Sequence, residues 1–103
     1  MRFLMTGIAG FVGRYAAREF LAAGHSILGF DHTPVPDLPS PIVTGDIRDL
    51  SLLRDTVRQF RPDAGIHLAA LAFPPGAEAD PALMADVNVR GTVHLCEAFR
   101  REA

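Results

Sequence analysis

The sequence contains no lysine, and all ten of its basic residues are arginines. A reaction that depends on a lysine side chain therefore cannot be completed by this chain alone. Tyrosine and cysteine are also scarce, with only Tyr15 and Cys96. A single cysteine excludes a framework of intrachain disulfides, which indicates a reducing compartment and leads us to expect the cytoplasm.

Strong charge of either sign and long apolar runs are missing as well. The net charge is −2 and no basic face is apparent, so neither nucleic acid nor an anionic membrane is an expected partner. The apolar residues within Met1–Gly7 are too few for a signal peptide or a membrane span. About half of the residues are apolar and a fifth are charged, which is typical of one globular domain with one core.

Short apolar strands alternate with amphipathic helices along the chain. Strands are predicted at Arg2–Thr6, His25–Asp31, Ile42–Thr44 and Ala64–Ala69. Helices are predicted from Phe11 to about Ala23, at Leu50–Phe60 after an Asp49 cap, and from Pro81 toward the C-terminus after an Asp80 cap. Loops are predicted over 32–41 and 70–80. This order predicts an α/β fold with a Rossmann-type doubly wound parallel sheet of about four strands, in the order 3-2-1-4, and three helices.

The segment between the first strand and the first helix contains three glycines, Gly7, Gly10 and Gly13. Glycines at such a turn let the backbone approach a pyrophosphate, and the helix N-terminus then offers free N–H groups to the anion. The spacing is GxxGxxG, and a merely structural turn is the alternative interpretation. The strand before the turn, the helix after it and an acid at the end of the next strand favour a dinucleotide site.

That acid is Asp31. A carboxylate at this position can accept hydrogen bonds from the adenosine ribose hydroxyls and would repel a 2′-phosphate. No arginine follows it closely, so the pattern predicts NAD rather than NADP. The alternative is an aspartate that only begins a loop.

Four motifs resemble those of the extended short-chain dehydrogenase/reductase family, the NAD-dependent epimerases and dehydratases. They are the TGxxGFxG turn, Gly45-Asp46-Ile47-Arg48-Asp49, the run from Arg61-Pro62-Asp63 to Ile66-His67-Leu68-Ala69-Ala70, and Asn88-Val89-Arg90-Gly91-Thr92. Together, and in this order, they are far more specific than any one of them. The resemblance implies that residues 1–103 are an NAD(P)-binding Rossmann domain, incomplete relative to the family.

The resemblance also implies roles for the matching positions. Phe11 and Val12 would contact the pyrophosphate through their backbone, and Asp46 and Ile47 would frame the adenine. The residues that would lie along the cofactor toward the nicotinamide are Leu68, Ala69, Ala70 and Leu71, with Asn88 helping to hold that end. From the residues alone, Asp46 could equally be a local turn former, and the Asn88 amide could be satisfied by backbone.

The family's catalytic Tyr-x-x-x-Lys is not found in this sequence, and Tyr15 is better interpreted as a packing residue. We therefore expect the NAD-binding part of a sugar-nucleotide epimerase, dehydratase or reductase, inactive by itself, whose complete form would act on a nucleotide-sugar. A non-catalytic dinucleotide-binding module and a truncated product without activity are the alternatives. The histidines show no metal-ligand spacing. We also expect self-association, through the open edge of the fourth strand or through the last helix.

Overall fold

The computed structural model describes residues 1–34, 37–38, 40–69 and 80–102. One parallel sheet contains the strands β1 (Arg2–Thr6), β2 (Ser26–Asp31), β3 (Ile42–Thr44) and β4 (Ala64–His67). The strand order is β3-β2-β1-β4, which confirms the predicted Rossmann-type sheet. Within the described residues β4 pairs with β1 alone, so it forms an edge of the sheet.

The helices begin where the sequence predicts them. They are α1 (Phe11–Ala22), α2 (Leu50–Phe60), α3 (Pro81–Ala85) and α4 (Gly91–Glu102), with a π-helical turn at Asp86–Arg90 between the last two. Both predicted caps are present, because Asp49 accepts from the Leu52 N–H at 3.1 Å and Asp80 accepts from the Leu83 N–H at 2.9 Å. The junctions at Asp86 and Gly91 keep right-handed helical dihedrals, so α3, the π turn and α4 form the single last helix that was predicted.

The sheet is covered on both faces, and β1 shows why its strands are apolar throughout. Leu4 and Met5 are both fully buried, yet they belong to different core clusters because successive side chains of a strand point to opposite faces. Leu4 packs with residues of α2 and α4, including Leu53 and Leu95. Met5 packs with Ala17 of α1. Because all strands are parallel, their carboxyl ends lie together at one end of the sheet, between the two layers of helices.

The fourth strand is shorter than predicted, since it ends at His67 and not at Ala69. Its partner β1 ends at Thr6, and the chain turns away at Gly7, where φ is 72°. Beyond that point β4 has no neighbouring strand to pair with, and the Ala69 N–H instead points at the Thr6 hydroxyl oxygen, 3.3 Å away. Most of the predicted 70–80 loop lies outside the described residues. No helix in the described ranges is long and apolar enough to cross a membrane.

Gly91 allows the last helix to approach the loop after β3. A Cβ at this position would lie 2.6 Å from Cγ2 of Ile47, a buried side chain. Glycine costs about 1 kcal/mol relative to alanine in a helix interior, and close packing is the reason it is tolerated here. The contact brings the last helix against Ile47, one of the predicted adenine-framing residues.

We expect Gly91→Ala to lower the free energy of unfolding by about 1–3 kcal/mol, because the added methyl overlaps Ile47. In an Ile47→Ala background, which lacks Cγ2, the same change should be neutral or stabilising by up to about 1 kcal/mol. Urea denaturation of the four proteins measures both effects. An equal loss in the two backgrounds would contradict the packing explanation.

Candidate functional site

The turn after β1 depends on two glycines that pack directly against backbone. Gly7 has a positive φ of 72°, and a Cβ there would lie 2.5 Å from the carbonyl carbon of Leu68. A Cβ at Gly13 would lie 2.4 Å from the carbonyl oxygen of Gly7. The Gly7 N–H donates to the Phe30 carbonyl at 2.9 Å, which joins the turn to β2. Three backbone segments therefore meet at a point where no side chain fits.

Helix α1 presents an uncapped N-terminus beside this turn. Its N-cap is Gly10, and in the described part of the chain no side chain accepts from its first N–H groups and no acid lies in its first turn. The other two helix starts behave differently, since each is capped by an aspartate side chain. Free N–H groups and the positive end of a helix dipole favour an anion at this position.

Asp31 lies at the end of β2 and contacts the glycine turn. Asp31 is only 7% exposed, and its Oδ2 accepts a hydrogen bond from the Ala9 N–H at 2.9 Å. Its other oxygen accepts from the Thr33 N–H at 3.0 Å. A carboxylate offers about four acceptor positions, so some capacity remains for ligand hydroxyls. Asp31 thus anchors the turn as well, a role that sequence reasoning missed.

Asp46 follows β3 and is held by Arg48. The Arg48 guanidinium donates to Oδ2 of Asp46 at 2.6 Å and to Asp86, in the π turn, at 3.1 Å. The hydrogen bond from Arg48 lowers the pKa of Asp46 to about 2. Asp46 in turn, followed by Asp86, raises the pKa of Arg48. This network links the loop after β3 to the last helix. Sequence spacing did not predict the bridge to Asp86, because Asp86 lies 38 residues beyond Arg48.

His67 is the only polar residue of β4, and its ring lies between two hydroxyl groups. Its Nδ1 is 2.6 Å from Oγ1 of Thr6, and its Nε2 is 2.9 Å from Oγ1 of Thr92. Burial lowers the pKa of His67, which favours the neutral ring. The sequence showed only that the histidines lack metal-ligand spacing and gave no indication of these two partners.

A cleft of about 500 Å³ crosses the carboxyl ends of the strands. The predicted site residues that line it are Gly7, Gly10, Asp31, Asp46, Ile47, Leu68 and Ala69. The predicted residues Phe11, Val12, Gly13 and Asn88 are described but do not line it, and Ala70 and Leu71 lie outside the described residues. The individual roles of all these residues stay predictions.

Two arginines that the sequence analysis did not select also line the cleft. Arg48 is one, and Arg14 of α1 is the other. The Arg14 Nε donates to the Ala9 carbonyl at 3.0 Å, and its Nη1 lies 3.7 Å from Asp37. Its position directly after Gly13 was the one feature of the sequence that could have indicated Arg14 as a residue of the cleft. Within the described ranges, no group of three or more His, Cys, Asp or Glu side chains could hold a metal ion.

Comparison with known proteins gives this arrangement a family. The model of the NAD dependent epimerase/dehydratase family matches residues 3–103. The chain belongs to this family. In this member of the epimerase/dehydratase family, the cleft at the strand ends is lined by the glycine turn, Asp31 and the loop after β3.

Individual relatives agree with the family match. A UDP-glucose 4-epimerase of Mycolicibacterium smegmatis is 36% identical over 110 residues, which cover 97% of this chain and 35% of the relative. A GDP-6-deoxy-D-mannose reductase of Pseudomonas aeruginosa is 36% identical and covers 96% of this chain and 29% of the relative. The chain thus spans about a third of the length of these relatives.

Solved structures share the fold closely. The Thermus thermophilus UDP-glucose 4-epimerase in complex with NAD superposes with a TM-score of 0.90 and 34% identity, over 99% of this chain and 34% of that one. The Brucella ovis UDP-glucose 4-epimerase in complex with NAD gives a TM-score of 0.87 and 33% identity, over 96% and 32% of the two chains.

We expect the Asp46 carboxyl to titrate near pH 2 in the wild-type protein and close to its ordinary value of 3.8 in Arg48→Met. The stabilisation from this pair is complete above the unfolded pKa and is lost as the pH falls through the folded one. Carbon NMR of the aspartate carboxyls measures the titration. Asp86→Asn is the control and should leave the pKa of Asp46 low, because Arg48 remains its partner. A titration unchanged in Arg48→Met would rule out this cause.

Proposed function

We propose that residues 1–103 form the NAD-binding Rossmann domain of a nucleotide-sugar epimerase, dehydratase or reductase. The family match and the NAD complexes of the two epimerase structures support this proposal. The observation that carries it is the uncapped start of α1 beside Gly7 and Gly13, where an added Cβ would meet backbone. Such a cradle suits a pyrophosphate that approaches the backbone closely.

We infer from the strand order that the two halves of the dinucleotide lie over different strands. With the pyrophosphate at the glycine turn after β1, the adenosine half lies over the ends of β2 and β3, near Asp31 and the Asp46–Ile47 pair. The nicotinamide half then lies on the other side of β1, over Leu68 and Ala69 at the end of β4. Ala70, Leu71 and Asn88 are proposed to complete that end, and the N–H groups of Phe11 and Val12 to bind the pyrophosphate.

NAD is proposed over NADP because of the charge at Asp31. The carboxylate lies beside the glycine turn, where the adenosine ribose would sit, and would repel a phosphate on the 2′ hydroxyl. The His32 Nδ1 lies 3.3 Å from Oδ1 of Asp31. Arg14 is a cation that also lines the cleft. Its contacts with the Ala9 carbonyl and with Asp37 already use part of its guanidinium.

Catalysis would need groups that these residues do not supply. The sequence has no lysine, and its single tyrosine, Tyr15, is 66% exposed on α1. This observation favours a second candidate, a non-catalytic dinucleotide-binding module. Because residues 1–103 are expected to be inactive by themselves, turnover cannot separate the two candidates. A Tyr-x-x-x-Lys motif in the reading frame of the parent protein would support the enzyme, and a parent protein without that motif would support the module. The lone Cys96 also supports the proposal of a reducing compartment, the cytoplasm.

Self-association is proposed through the last helix or through the edge of β4. Val89 and Val93 are 64% and 58% exposed, and Cys96 is exposed on the same helix. Exposed apolar groups on a helix favour association with a second apolar surface. Among the described residues no second strand lies beside β4, so its backbone groups offer an alternative route.

We expect wild-type protein to bind NAD more tightly than NADP in calorimetric titrations. Asp31→Ala and Asp31→Asn should each weaken NAD binding by about tenfold to a hundredfold, the effect of losing charge-assisted hydrogen bonds. Both should raise the NADP-to-NAD affinity ratio, because the repelling charge is gone. Asp31→Asn is the matched control for the turn, since its amide oxygen can still accept from the Ala9 N–H. Tighter binding of NADP by the wild type would show that the Asp31 argument is wrong.

We expect sedimentation velocity at high protein concentration to show dimers or larger species. Val93→Glu should shift the distribution to monomer if the last helix forms the interface, because an unpaired charge is costly in an apolar contact. Val12→Glu, an equally exposed position on α1, should leave association unchanged. If Val93→Glu still associates, the β4 edge is indicated as the interface. A wild-type protein that stays monomeric would refute the proposal of self-association.

A further inference from the structure

The side chains of Thr6, His67 and Thr92 form a continuous hydrogen-bonded chain beneath the cleft. It begins at the end of β1, crosses the end of β4 through the imidazole and ends on the last helix. The outer ends contact backbone: the Thr6 hydroxyl oxygen is 3.1 Å from the Leu68 N–H nitrogen and 3.3 Å from that of Ala69. The Thr92 hydroxyl donates to the Asn88 carbonyl at 2.6 Å.

The tautomer of the His67 imidazole follows from which groups in this chain can donate a proton and which can only accept one. The Thr6 hydroxyl oxygen accepts from the Ala69 N–H and shares the Leu68 N–H with the Thr6 carbonyl oxygen, so its single proton is available for Nδ1 of His67. At the other end the Asn88 carbonyl can only accept, so Thr92 donates to it and its oxygen is left to accept from Nε2. Only the neutral imidazole with its proton on Nε2 satisfies both ends.

The helix around Asn88 departs from regular geometry at this point. The π turn occupies Asp86–Arg90, and π turns inside α-helices occur frequently at functional sites. The Thr92 hydroxyl takes up the carbonyl four residues before it, a type of contact that bends helices. Through Thr92, the His67 ring thus joins β4 to the part of the last helix that directly follows the π turn.

We propose that His67 is a positioning residue that holds Leu68, Ala69 and the Asn88 turn in place for the nicotinamide half of the dinucleotide. The Leu68 and Ala69 segment lines the cleft, and Leu68 packs against Gly7. A ring that joins Thr6 to Thr92 therefore sets the distance between this segment and the last helix. The inference rests on the proposed NAD function. It adds that the β4 side of the site has its own connection to the last helix, through His67 and Thr92, in addition to the Arg48–Asp86 bridge from the adenosine side to the π turn.

The first test is nitrogen NMR of the histidine imidazoles in ligand-free protein. We expect the signals of His67 to show a protonated Nε2 and an unprotonated Nδ1, with loss of the single-tautomer pattern in Thr92→Val. Protonation at Nδ1 in the wild type would overturn the proposal, whether or not the protein binds NAD.

The second test compares NAD with AMP, which carries only the adenosine half. Thr92→Val should weaken NAD binding by about tenfold, the effect of one lost hydrogen bond, and leave AMP binding within about twofold of wild type. Thr92→Ser keeps the hydroxyl and should restore NAD binding. His67→Gln, whose amide nitrogen can still reach Thr92 but which has no group at the Nδ1 position, should show the same loss for NAD only.

The outcomes separate this inference from the proposed function. Wild-type protein that binds neither NAD nor AMP would refute the proposed function and this inference with it. NAD binding by the wild type, with equal losses for NAD and AMP in Thr92→Val and His67→Gln, would overturn the positioning role alone. Failure of Thr92→Ser to restore NAD binding would overturn it as well.

Discussion

The close approach of the Gly7 turn to the Leu68 backbone is the constraint on which the site depends. At this point β1 and β4 end side by side, and no Cβ fits between them. Gly13 then packs on the Gly7 carbonyl, which brings the start of α1 over the ends of the strands. The uncapped N–H groups of the helix are directed to one position as a result. Without these two glycines the helix would be displaced and the cradle lost.

Polar side chains connect the loops around this cradle in pairs. Asp31 joins the loop after β2 to the glycine turn, Arg48 joins the loop after β3 to the π turn, and His67 joins β4 to α4. Each connection is made by a side chain at or near a strand end, and each spans elements distant in sequence. The cleft is therefore organised by its own residues, which reduces the ordering cost of ligand binding.

Local patterns predicted most element bounds, and they failed where an element depends on its neighbour. The bounds of α2 and β3 follow from the Asp49 cap and from a short apolar run, both of which act locally. The end of β4 depends on where β1 stops, and the π turn is accompanied by a Thr92 hydroxyl bond inside the helix. Neither the end of β4 nor the π turn produces a periodic pattern of apolar residues in the sequence. The predicted site residues that line the cleft lie at strand ends or shortly after them, because the carboxyl ends of parallel strands meet at the same end of a sheet.

The sequence by itself determined the order of strands and helices along the chain, the glycine turn and the acid at the end of β2. These features depend on side-chain size, periodicity and chain direction, which can be read from the sequence without coordinates. Only the tertiary structure decided that Asp31 binds the Ala9 N–H, that Arg48 bridges Asp46 and Asp86, and that His67 lies between two threonines. Such pairings depend on distances between residues brought together by the sheet, and no spacing along the chain encodes those distances.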